Sequence, residues 1–274
     1  MNGSGILAGK RGLILGVANK MSIAWGIAQA AREQGAELAL TYQGEALKKR
    51  VEPLAASLDA IVAGHLDVTD TASVDAVFDH VRAEWGGLDF VVHAIAFSDK
   101  GELTGRYLET SADNFTRSLL VSCYSFTDIA RRAEPLMGEG GSLLTLTYYG
   151  AEKVMPHYNV MGVAKAALEA SVRYLAADLG PSGIRVNALS AGPIKTLAAS
   201  GIGDFRYILK WNEYNAPLRR SVSTEEVGSA AAYLVSPLAR GVTGEVHHVD
   251  CGYHVVGMKA VDAPDITKVV AAGD

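Results

Sequence analysis

The chain has 274 residues, of which 49% are hydrophobic and 20% charged, with 25 Lys plus Arg against 30 Asp plus Glu. At this length folding buries about 75% of the surface of the unfolded chain, so a large core needs neither disulfides nor a metal, and no metal site is predicted. The net charge of −5 argues against nucleic acid and anionic membranes as partners. No apolar run approaches the ~18 residues of a membrane span, and residues 1–12 lack a signal-peptide core, which predicts a soluble protein. Cys123 and Cys251 are interpreted as buried thiols in a reducing cytoplasm.

Short apolar, β-rich runs alternate with longer stretches of helical periodicity along the chain. This pattern predicts an α/β fold, a doubly wound parallel seven-stranded sheet with helices on both faces. The predicted strands are Gly12–Gly16, Glu37–Tyr42, Ile61–His65, Leu88–His93, Ser142–Thr147, Ile184–Leu189 and Glu245–Val249. The predicted helices lie near Ile23–Gln34, Ala46–Leu58, Ser73–Trp85, Asp113–Met137, Tyr158–Leu179 and Thr224–Leu234.

No Ser-rich linker, charge block or internal repeat divides the chain, so residues 1–274 are predicted to form a single domain. The regular alternation is interrupted by Pro193–Arg220, a long excursion between the sixth and seventh strands. Such an excursion is more often a lid or binding segment than an inert loop. We therefore expect a substrate-binding loop at about 193–220.

A glycine-containing turn, residues 16–22, leads from the first strand into an apolar helix. Such a turn lets the backbone approach a pyrophosphate, whose charge is met by free N–H groups and the positive end of the helix dipole. Gly16, Ser22 and Ile23 are therefore candidate cofactor-binding residues, although Ser22 could instead cap the helix. Because the regular Gly-x-Gly-x-x-Gly pattern is absent, a purely structural turn is the alternative.

Further candidates stand at the ends of the second, third and fourth strands. Gln43 occupies the position that faces the adenosine ribose in a dinucleotide-binding, Rossmann-like fold. It is neutral and no Arg follows it immediately, which favours NADH over NADPH, although Lys48–Arg50 lie nearby. Asp67 offers a carboxylate to an adenine amino group and Val68 a backbone N–H to a ring nitrogen, with a turn or helix cap as the alternative for Asp67. His93 is interpreted as a packed or hydrogen-bonded strand residue.

Tyr158 and Lys165 are seven positions apart in a predicted helix, ~20° short of two full turns and ~10 Å along the axis, so they share one face. A phenol beside a fixed ammonium ion can donate to an oxygen that gains negative charge, because the cation favours the ionised phenol and strengthens the hydrogen bond. Such a spacing also arises by chance. Behind a nucleotide-binding first half, it predicts a catalytic pair.

At these residues the chain resembles the short-chain dehydrogenase/reductase superfamily, most members of which carry Tyr-x-x-x-Lys with a serine thirteen positions before the tyrosine. Here those two positions hold Met161 and Tyr148, and Tyr158 stands at Tyr-x6-Lys. These departures resemble the divergent branch of bacterial enoyl-acyl-carrier-protein reductases. The similarity extends over residues 7–252 and includes Gly16…Ser22-Ile23-Ala24, His93-x-Ile95, Tyr158-Asn159-Val160-Met161-Gly162 and Ser190-Ala191-Gly192-Pro193-Ile194-Lys195-Thr196-Leu197-Ala198.

The resemblance implies NADH-dependent reduction of the trans-2 double bond of enoyl thioesters on acyl-carrier protein, in the fatty acid synthesis of a bacterial cytoplasm. Tyr158 would bond the thioester oxygen, and Lys165 would hold the nicotinamide ribose hydroxyls. Tyr148 and Tyr149 cannot both line the acyl pocket if the strand stays regular, because adjacent strand residues point to opposite faces. The motif position assigns this role to Tyr148. Ser98 is expected at the same pocket, at a position where alanine is common.

The resemblance also places the cofactor against Ile95 and against five consecutive residues, Ile194, Lys195, Thr196, Leu197 and Ala198, with residues 199–211 closing over the ligand. An acidic carrier protein would need a basic rim, for which Arg206, Lys210, Arg219 and Arg220 are candidates, solvated charges being the alternative. The resemblance further implies a homotetramer that pairs the two long predicted helices.

Two other functions are open to test. A β-ketoacyl or other carbonyl reductase of the superfamily is disfavoured because Met161 and Tyr148 replace its expected catalytic pair. A cofactor-sensing protein without catalysis is disfavoured because Tyr158 and Lys165 are both present.

Overall fold

The computed structural model describes residues 5–197 and 199–272. Its seven strands are β1 (Arg11–Leu15), β2 (Glu37–Tyr42), β3 (Ile61–His65), β4 (Phe90–His93), β5 (Gly141–Thr147), β6 (Ile184–Ala191) and β7 (Val246–Val249). They form one sheet in the order β3-β2-β1-β4-β5-β6-β7, and each strand runs parallel to its neighbours. The predicted doubly wound α/β fold is confirmed.

The described helices are α1 (Ile23–Glu33), α2 (Gly44–Ser57), α3 (Thr71–Trp85), α4 (Ala112–Leu119), α5 (Ser125–Ala133), α6 (Asn159–Leu179), α7 (Phe205–Asn215), α8 (Thr224–Val235) and α9 (Ile266–Ala271). Apart from the helix predicted at Asp113–Met137, the predicted boundaries coincide with these or differ by one or two residues. Gly16 lies beyond the end of β1, in the turn. None of these helices is long and apolar enough to cross a membrane.

Two separate cores cover the two faces of the sheet. Ile14 and Val92 belong to the core that contains buried residues of α1, α2 and α8. Leu13 and Val91 belong to the other core, with buried residues of α3, α5 and α6. Neighbouring strand residues thus bury opposite faces, which explains why the strands read as continuous apolar runs.

The single long helix predicted at Asp113–Met137 is wrong in detail. A π-helical turn, Leu120–Tyr124, separates α4 from α5, and a short 3₁₀ turn follows α5. Side-chain hydroxyls are bound at this interruption: the Ser125 hydroxyl donates to the Val121 carbonyl over 2.7 Å, and the Ser122 hydroxyl donates to the Phe97 carbonyl over 3.1 Å. The Ser125 bond to the preceding turn competes with the regular helical ladder, and π turns arise where it is interrupted.

The excursion predicted at Pro193–Arg220 contains the helix α7 and a short 3₁₀ turn at its start. The helix α7 was not predicted, although Phe205, Ile208 and Trp211 recur at helical spacing. The helix α9 was not predicted either. It packs against α7, which places the end of the chain beside the excursion.

Candidate active site

The turn after β1 brings the backbone close to the end of β4. Gly16 has a φ of +95°, and a Cβ added there would lie 2.1 Å from the Ala94 carbonyl oxygen. Only glycine fits this conformation and this approach. Main chain without intervening side chains therefore lies between the carboxyl ends of β1 and β4, where a doubly wound sheet binds nucleotides.

Ser22 stands at the N-cap position of α1, but its side chain does not cap the helix. Its hydroxyl oxygen accepts hydrogen bonds from the N–H groups of Ala18 and Asn19 at 3.1 and 3.0 Å, and so holds the turn in shape. The helix-cap alternative is thus excluded in this structure. The N–H groups of Ile23 and Ala24 lie in the first helical turn, where no intrahelical acceptor exists, and remain donors for an anion.

Gln43 and Asp67 lie side by side at the ends of β2 and β3. The Gln43 amide donates to a carboxylate oxygen of Asp67 over 3.1 Å, and Thr69 donates to Asp67 through both its N–H and its hydroxyl. Burial opposes ionisation of Asp67, but these hydrogen bonds outweigh it and lower its pKa. Asp67 therefore stabilises a turn, which was the alternative to its role in cofactor binding. Its carboxylate is ionised and lies at the carboxyl end of the sheet.

The remaining predicted cofactor-binding residues lie around this sheet edge. Val68 and Ile95 are half-buried against the core that contains α3, and Ile194 against the core that contains α1. Lys195 and Leu197 are exposed. The Thr196 hydroxyl accepts a hydrogen bond from the Ala199 N–H at 3.1 Å. Ala198 lies outside the described residues.

Tyr158 precedes the helix that carries Lys165. The helix α6 begins at Asn159, whose φ is +40°, so the first step of the seven-residue spacing is not helical. Asparagine tolerates this conformation better than most residues, and its side chain donates to the carbonyls of Glu102 and Gly105, each over 3.0 Å. Sequence reasoning missed this role of Asn159, which locks the turn that presents Tyr158.

The Tyr158 ring is enclosed, with 7% of the residue exposed, and meets the Tyr148 ring edge to face at a centroid distance of 5.1 Å. A Cβ at Gly150 would lie 2.4 Å from the Tyr158 ring, so glycine is required beneath it. The described residues provide no hydrogen-bond partner for the Tyr158 hydroxyl. Burial, then Tyr148 and Glu169, raises its pKa, so the phenol is neutral and available as a donor.

Lys165 is 6% exposed and donates to the Leu146 carbonyl over 2.8 Å. Burial lowers its pKa to about 8, although Cys123 and Glu169 oppose the shift. Leu146 lies two residues before Tyr148, so the end of β5 joins the lysine to the pair of tyrosine rings. The charge of Lys165 does not lower the pKa of Tyr158, which is raised mainly by burial, so the phenol keeps the proton that its expected role as a donor requires.

Glu169 is a further buried charge that the sequence did not reveal. It lies one turn after Lys165 on α6, is 7% exposed, and accepts a hydrogen bond of 2.6 Å from the Thr147 hydroxyl. Burial raises its pKa, and the Thr147 bond opposes the shift. Two adjacent bonds, from Lys165 to Leu146 and from Thr147 to Glu169, therefore tie α6 to the end of β5. The four-residue spacing of Lys165 and Glu169 on a mostly apolar helix was the sequence signal that could have revealed this buried charge.

His93 and the cysteines play the structural parts expected of them. His93 is fully buried, with Thr145 at 3.0 Å from Nδ1 and Ser125 at 2.8 Å from Nε2. Burial, reinforced by the charge of Lys165, lowers its pKa to about 3 and keeps the ring neutral. Cys123 and Cys251 are both buried free thiols.

A cavity of about 270 Å³ opens beside the tyrosine pair. Its walls come from the loop before α6, from α7 and from the segment after β7. Aromatic and aliphatic side chains predominate, with one amide among them: Tyr148, Val154, Met155, Pro156, Tyr207, Ile208, Trp211, Asn212 and Tyr253. A mostly apolar wall with a few polar groups is typical of a site for a small organic ligand.

Of the two residues predicted to line the acyl pocket, Tyr148 lies at the cavity and Ser98 does not. Tyr148 lines the cavity, while the Tyr149 hydroxyl donates to the His254 carbonyl over 3.0 Å, so the two tyrosines do diverge. Ser98 is buried but lines no part of this cavity. Its hydroxyl is hydrogen bonded to the Asn114 side chain, which also accepts the Asp99 N–H and orders the loop after β4.

The predicted basic rim is largely neutralised within the chain. Lys210 lies 3.3 Å from Glu213, Arg219 2.9 Å from Asp262 and Arg220 2.6 Å from Glu226. These pairs are partly exposed and contribute little stability. They also reduce the positive potential that the three side chains can offer to an acidic partner.

The chain that carries this site is similar to known proteins. The model of the family described as enoyl-(acyl carrier protein) reductase matches residues 16–254. The chain belongs to this family. An enoyl-[acyl-carrier-protein] reductase [NADH] 1 of Rhizobium meliloti (strain 1021) is 75% identical over 264 residues, which cover 96% of this chain and 97% of the relative. The corresponding NADH enzyme of Bacillus subtilis (strain 168) is 52% identical and covers 91% of this chain and 97% of its own.

Solved structures of enoyl-acyl-carrier-protein reductases share the fold. One from Anaplasma phagocytophilum, in complex with NAD, has a TM-score of 0.91 and 65% identity, and the match covers 94% of this chain and 98% of that one. One from Bacillus cereus, with NADP+ and an indole naphthyridinone, has a TM-score of 0.90 and 51% identity, over 93% of this chain and all of that one. The family resemblance drawn from the Tyr-x6-Lys motif is therefore confirmed.

Proposed function

We propose that this chain is an NADH-dependent enoyl-acyl-carrier-protein reductase, which reduces the trans-2 double bond of an enoyl thioester in fatty acid synthesis. The observation that carries the proposal is the buried Tyr158 ring, whose hydroxyl has no hydrogen-bond partner among the described residues, next to a ligand-sized apolar cavity. Membership of the family and the high identity to NADH reductases support it.

The residues at the carboxyl edge of the sheet fit a dinucleotide. Gly16 provides a main-chain approach that a Cβ would block, and the first turn of α1, directly after Ser22, provides the N–H groups of Ile23 and Ala24 as donors for a pyrophosphate. Gln43 and Asp67 present neutral and acidic groups near the ribose and adenine, which suits NADH because a 2′-phosphate would meet the Asp67 charge. Val68, Ile95 and residues 194–198 would complete the contacts, with Lys165 at the nicotinamide ribose.

When bound, the cofactor supplies the hydride that adds to the β-carbon. The residues of the chain stabilise the oxygen on which negative charge then develops. Tyr158 remains protonated because of its burial, and donates a hydrogen bond to the thioester oxygen. Lys165 holds the ribose hydroxyls and adds positive potential, while Tyr148 orients the Tyr158 ring and lines the acyl pocket. The helix α7 and the aromatic walls exclude water from the reacting atoms.

Larger-scale features extend this proposal. We assign substrate binding to segment 193–220, place the enzyme in a bacterial cytoplasm as a single domain, and retain Ser98 as a more distant residue of the substrate site.

We also propose a homotetramer. Large apolar side chains on the two predicted interface regions are exposed in the single chain, namely Leu120, Tyr124, Val163 and Tyr174. Light scattering after size exclusion tests the assembly, and a monomer would contradict it.

The activity is tested by mixing the purified protein with NADH and a crotonyl thioester and following the absorbance of NADH. Oxidation of NADH supports the enoyl reductase, whereas oxidation only with an acetoacetyl thioester supports a carbonyl reductase, and none with either supports a cofactor sensor.

Tyr158→Phe should lower kcat by about 10²–10³-fold, because it removes one donor to the developing oxyanion. The Kd for NADH should be unchanged. An unchanged kcat would remove Tyr158 from the mechanism.

A further inference from the structure

A side-chain hydrogen bond joins the turn before α6 to the start of α7. The His157 Nε2–H donates to a carboxylate oxygen of Asp204 over 3.0 Å, since a carboxylate can only accept. His157 directly precedes Tyr158, and Asp204 directly precedes the first residue of α7. The bond therefore connects the residue next to the phenol with the helix that forms one wall of the apolar cavity.

Both bonded residues adjoin a wall of this cavity. Before His157, the three consecutive residues 154–156 line the cavity. After Asp204, the wall is formed by residues from the first part of α7, Tyr207, Ile208 and Trp211. A change in the distance between His157 and Asp204 would therefore change the separation of the two walls.

Other contacts hold the same two segments together. Ile202 packs against the apolar cluster that contains Leu103 and Tyr158. The Gly203 N–H donates to the Leu103 carbonyl over 3.4 Å. A Cβ at Gly203 would lie 3.1 Å from the His157 ring, so the imidazole lies directly against the main chain of the segment that leads into α7. The ring is thus positioned by packing as well as by its bond to Asp204.

The backbone at this bond is strained. Six described residues other than glycine have a positive φ, and three of them lie here: His157 at +56°, Asn159 at +40° and Asp204 at +52°. Asp204 also occupies the N-cap position of α7 without capping the helix, although aspartate is among the best caps. An exposed pair of this kind contributes little stability. Since the strain and the missing cap oppose folding, the bond is better explained by a positional role than by stabilisation.

We propose that His157 and Asp204 form a clasp that holds α7 against the Tyr158 turn and keeps the acyl cavity closed around the substrate. Both are positioning residues, since neither is among the described residues that line the cavity. The inference rests on the proposed function and assigns the contact that closes the substrate-binding excursion. Tyr158 itself is held by the bonds of Asn159 and by contact with Gly150, so loss of the clasp should weaken substrate binding and spare the chemical step.

A double-mutant cycle with NADH and trans-2-octenoyl coenzyme A tests the clasp. His157→Asn and Asp204→Gly each remove the bond, and both replacements tolerate a positive φ. Each should raise KM for the thioester by about two- to fivefold and change kcat by less than about twofold, as expected for an exposed pair. Because both substitutions break the same bond, the double variant should lose no more than the more impaired single variant.

Asp59→Gly is the matched control. Asp59 also has a φ of +52° and lies 3.2 Å from a cationic partner, Arg32, but neither residue is among those that line the cavity. The control therefore makes the same backbone change and breaks a similar exposed pair. It should leave KM and kcat unchanged.

Amide hydrogen exchange of α7, measured without cofactor or substrate, gives a second readout that does not depend on activity. Each single variant should speed exchange in α7 by about two- to fivefold, the double variant no further, and Asp59→Gly should not affect it. If exchange behaves in this way but the wild type reduces no enoyl thioester, the proposed function fails while the clasp is supported.

Three results would overturn the inference. One is unchanged exchange in both single variants, which would show that the bond does not hold α7. Another is a double variant whose KM rises by the product of the two single changes, which would show that the residues act separately. The third is a loss in kcat with KM unchanged, which would show that the bond does not close the cavity.

Discussion

Replacing Lys165 by methionine should stabilise the cofactor-free protein at neutral pH, although it should abolish tight NADH binding. The ammonium group is almost fully buried, and its pKa falls from 10.5 to about 8 in the folded chain. Protonation at neutral pH therefore costs folding free energy, because the unfolded chain binds this proton more tightly. Methionine fills a similar volume without that cost.

The size of the effect follows from the two pKa values. At about pH 7 the difference destabilises the wild type by about 3 kcal/mol, and at about pH 9.5 by about 1.5 kcal/mol, since the folded lysine is then already neutral. The lost hydrogen bond to the Leu146 carbonyl offsets about 1 kcal/mol. The net gain is about 2 kcal/mol near pH 7 and about 0.5 kcal/mol near pH 9.5. It shrinks as the pH rises from about 8 towards 10.5, because the unfolded chain then gives up the proton that the folded chain has already released.

Thermal unfolding of both proteins without NADH checks this prediction. At about 2–4 °C per kcal/mol, the variant should melt about 4–8 °C above the wild type near pH 7 and about 1–2 °C above it near pH 9.5. Lys153→Met, at an exposed position, is the control and should shift Tm little at either pH. A variant that melts below the wild type near pH 7, or a difference that does not change with pH, would refute the reasoning.

Three further predictions concern the cofactor and the frame of the site. The Kd for NADH should stay flat below about pH 8 and rise by up to tenfold per pH unit above it, because the ammonium form of Lys165 donates more strongly to the ribose than the neutral amine does. A flat fluorescence titration up to pH ~9.5 would contradict this. Thr147→Val should cost about 1–3 kcal/mol in urea unfolding because it leaves Glu169 buried without a donor, whereas Thr147→Ser should cost under about 0.5 kcal/mol; equal losses would argue against the bond. Gly26→Ala should cost about 1–3 kcal/mol, since its Cβ would lie 2.6 Å from the Thr224 carbonyl between α1 and α8. Gly138→Ala, with nothing within 4 Å, should be nearly neutral, and equal stability of the two variants would contradict the packing argument.

Much of the candidate site was visible in the sequence because its signals are local. A strand followed by Gly16 and a helix start predicts a nucleotide turn, and the Tyr158-x6-Lys165 spacing is a short motif. The position of Tyr158 outside the helix was not visible, because Asn159 adopts its positive φ under contacts with Glu102 and Gly105, more than fifty residues earlier. A hydrogen bond between residues far apart in the sequence produces no periodic pattern of residue types in either segment.

The amino-acid sequence by itself determined the class of fold, the strand positions and the family, because alternating apolar runs and short motifs express themselves over a few residues. Tertiary structure alone decided which charges are buried and which acceptors are unpaired. The bond between Thr147 and Glu169, the depressed pKa of Lys165 and the lack of a partner for the Asn212 Oδ1 among the described residues all depend on neighbours from other segments. Burial and hydrogen-bond satisfaction are properties of the packed chain, since they exist only after strands and helices far apart in sequence have excluded water between them.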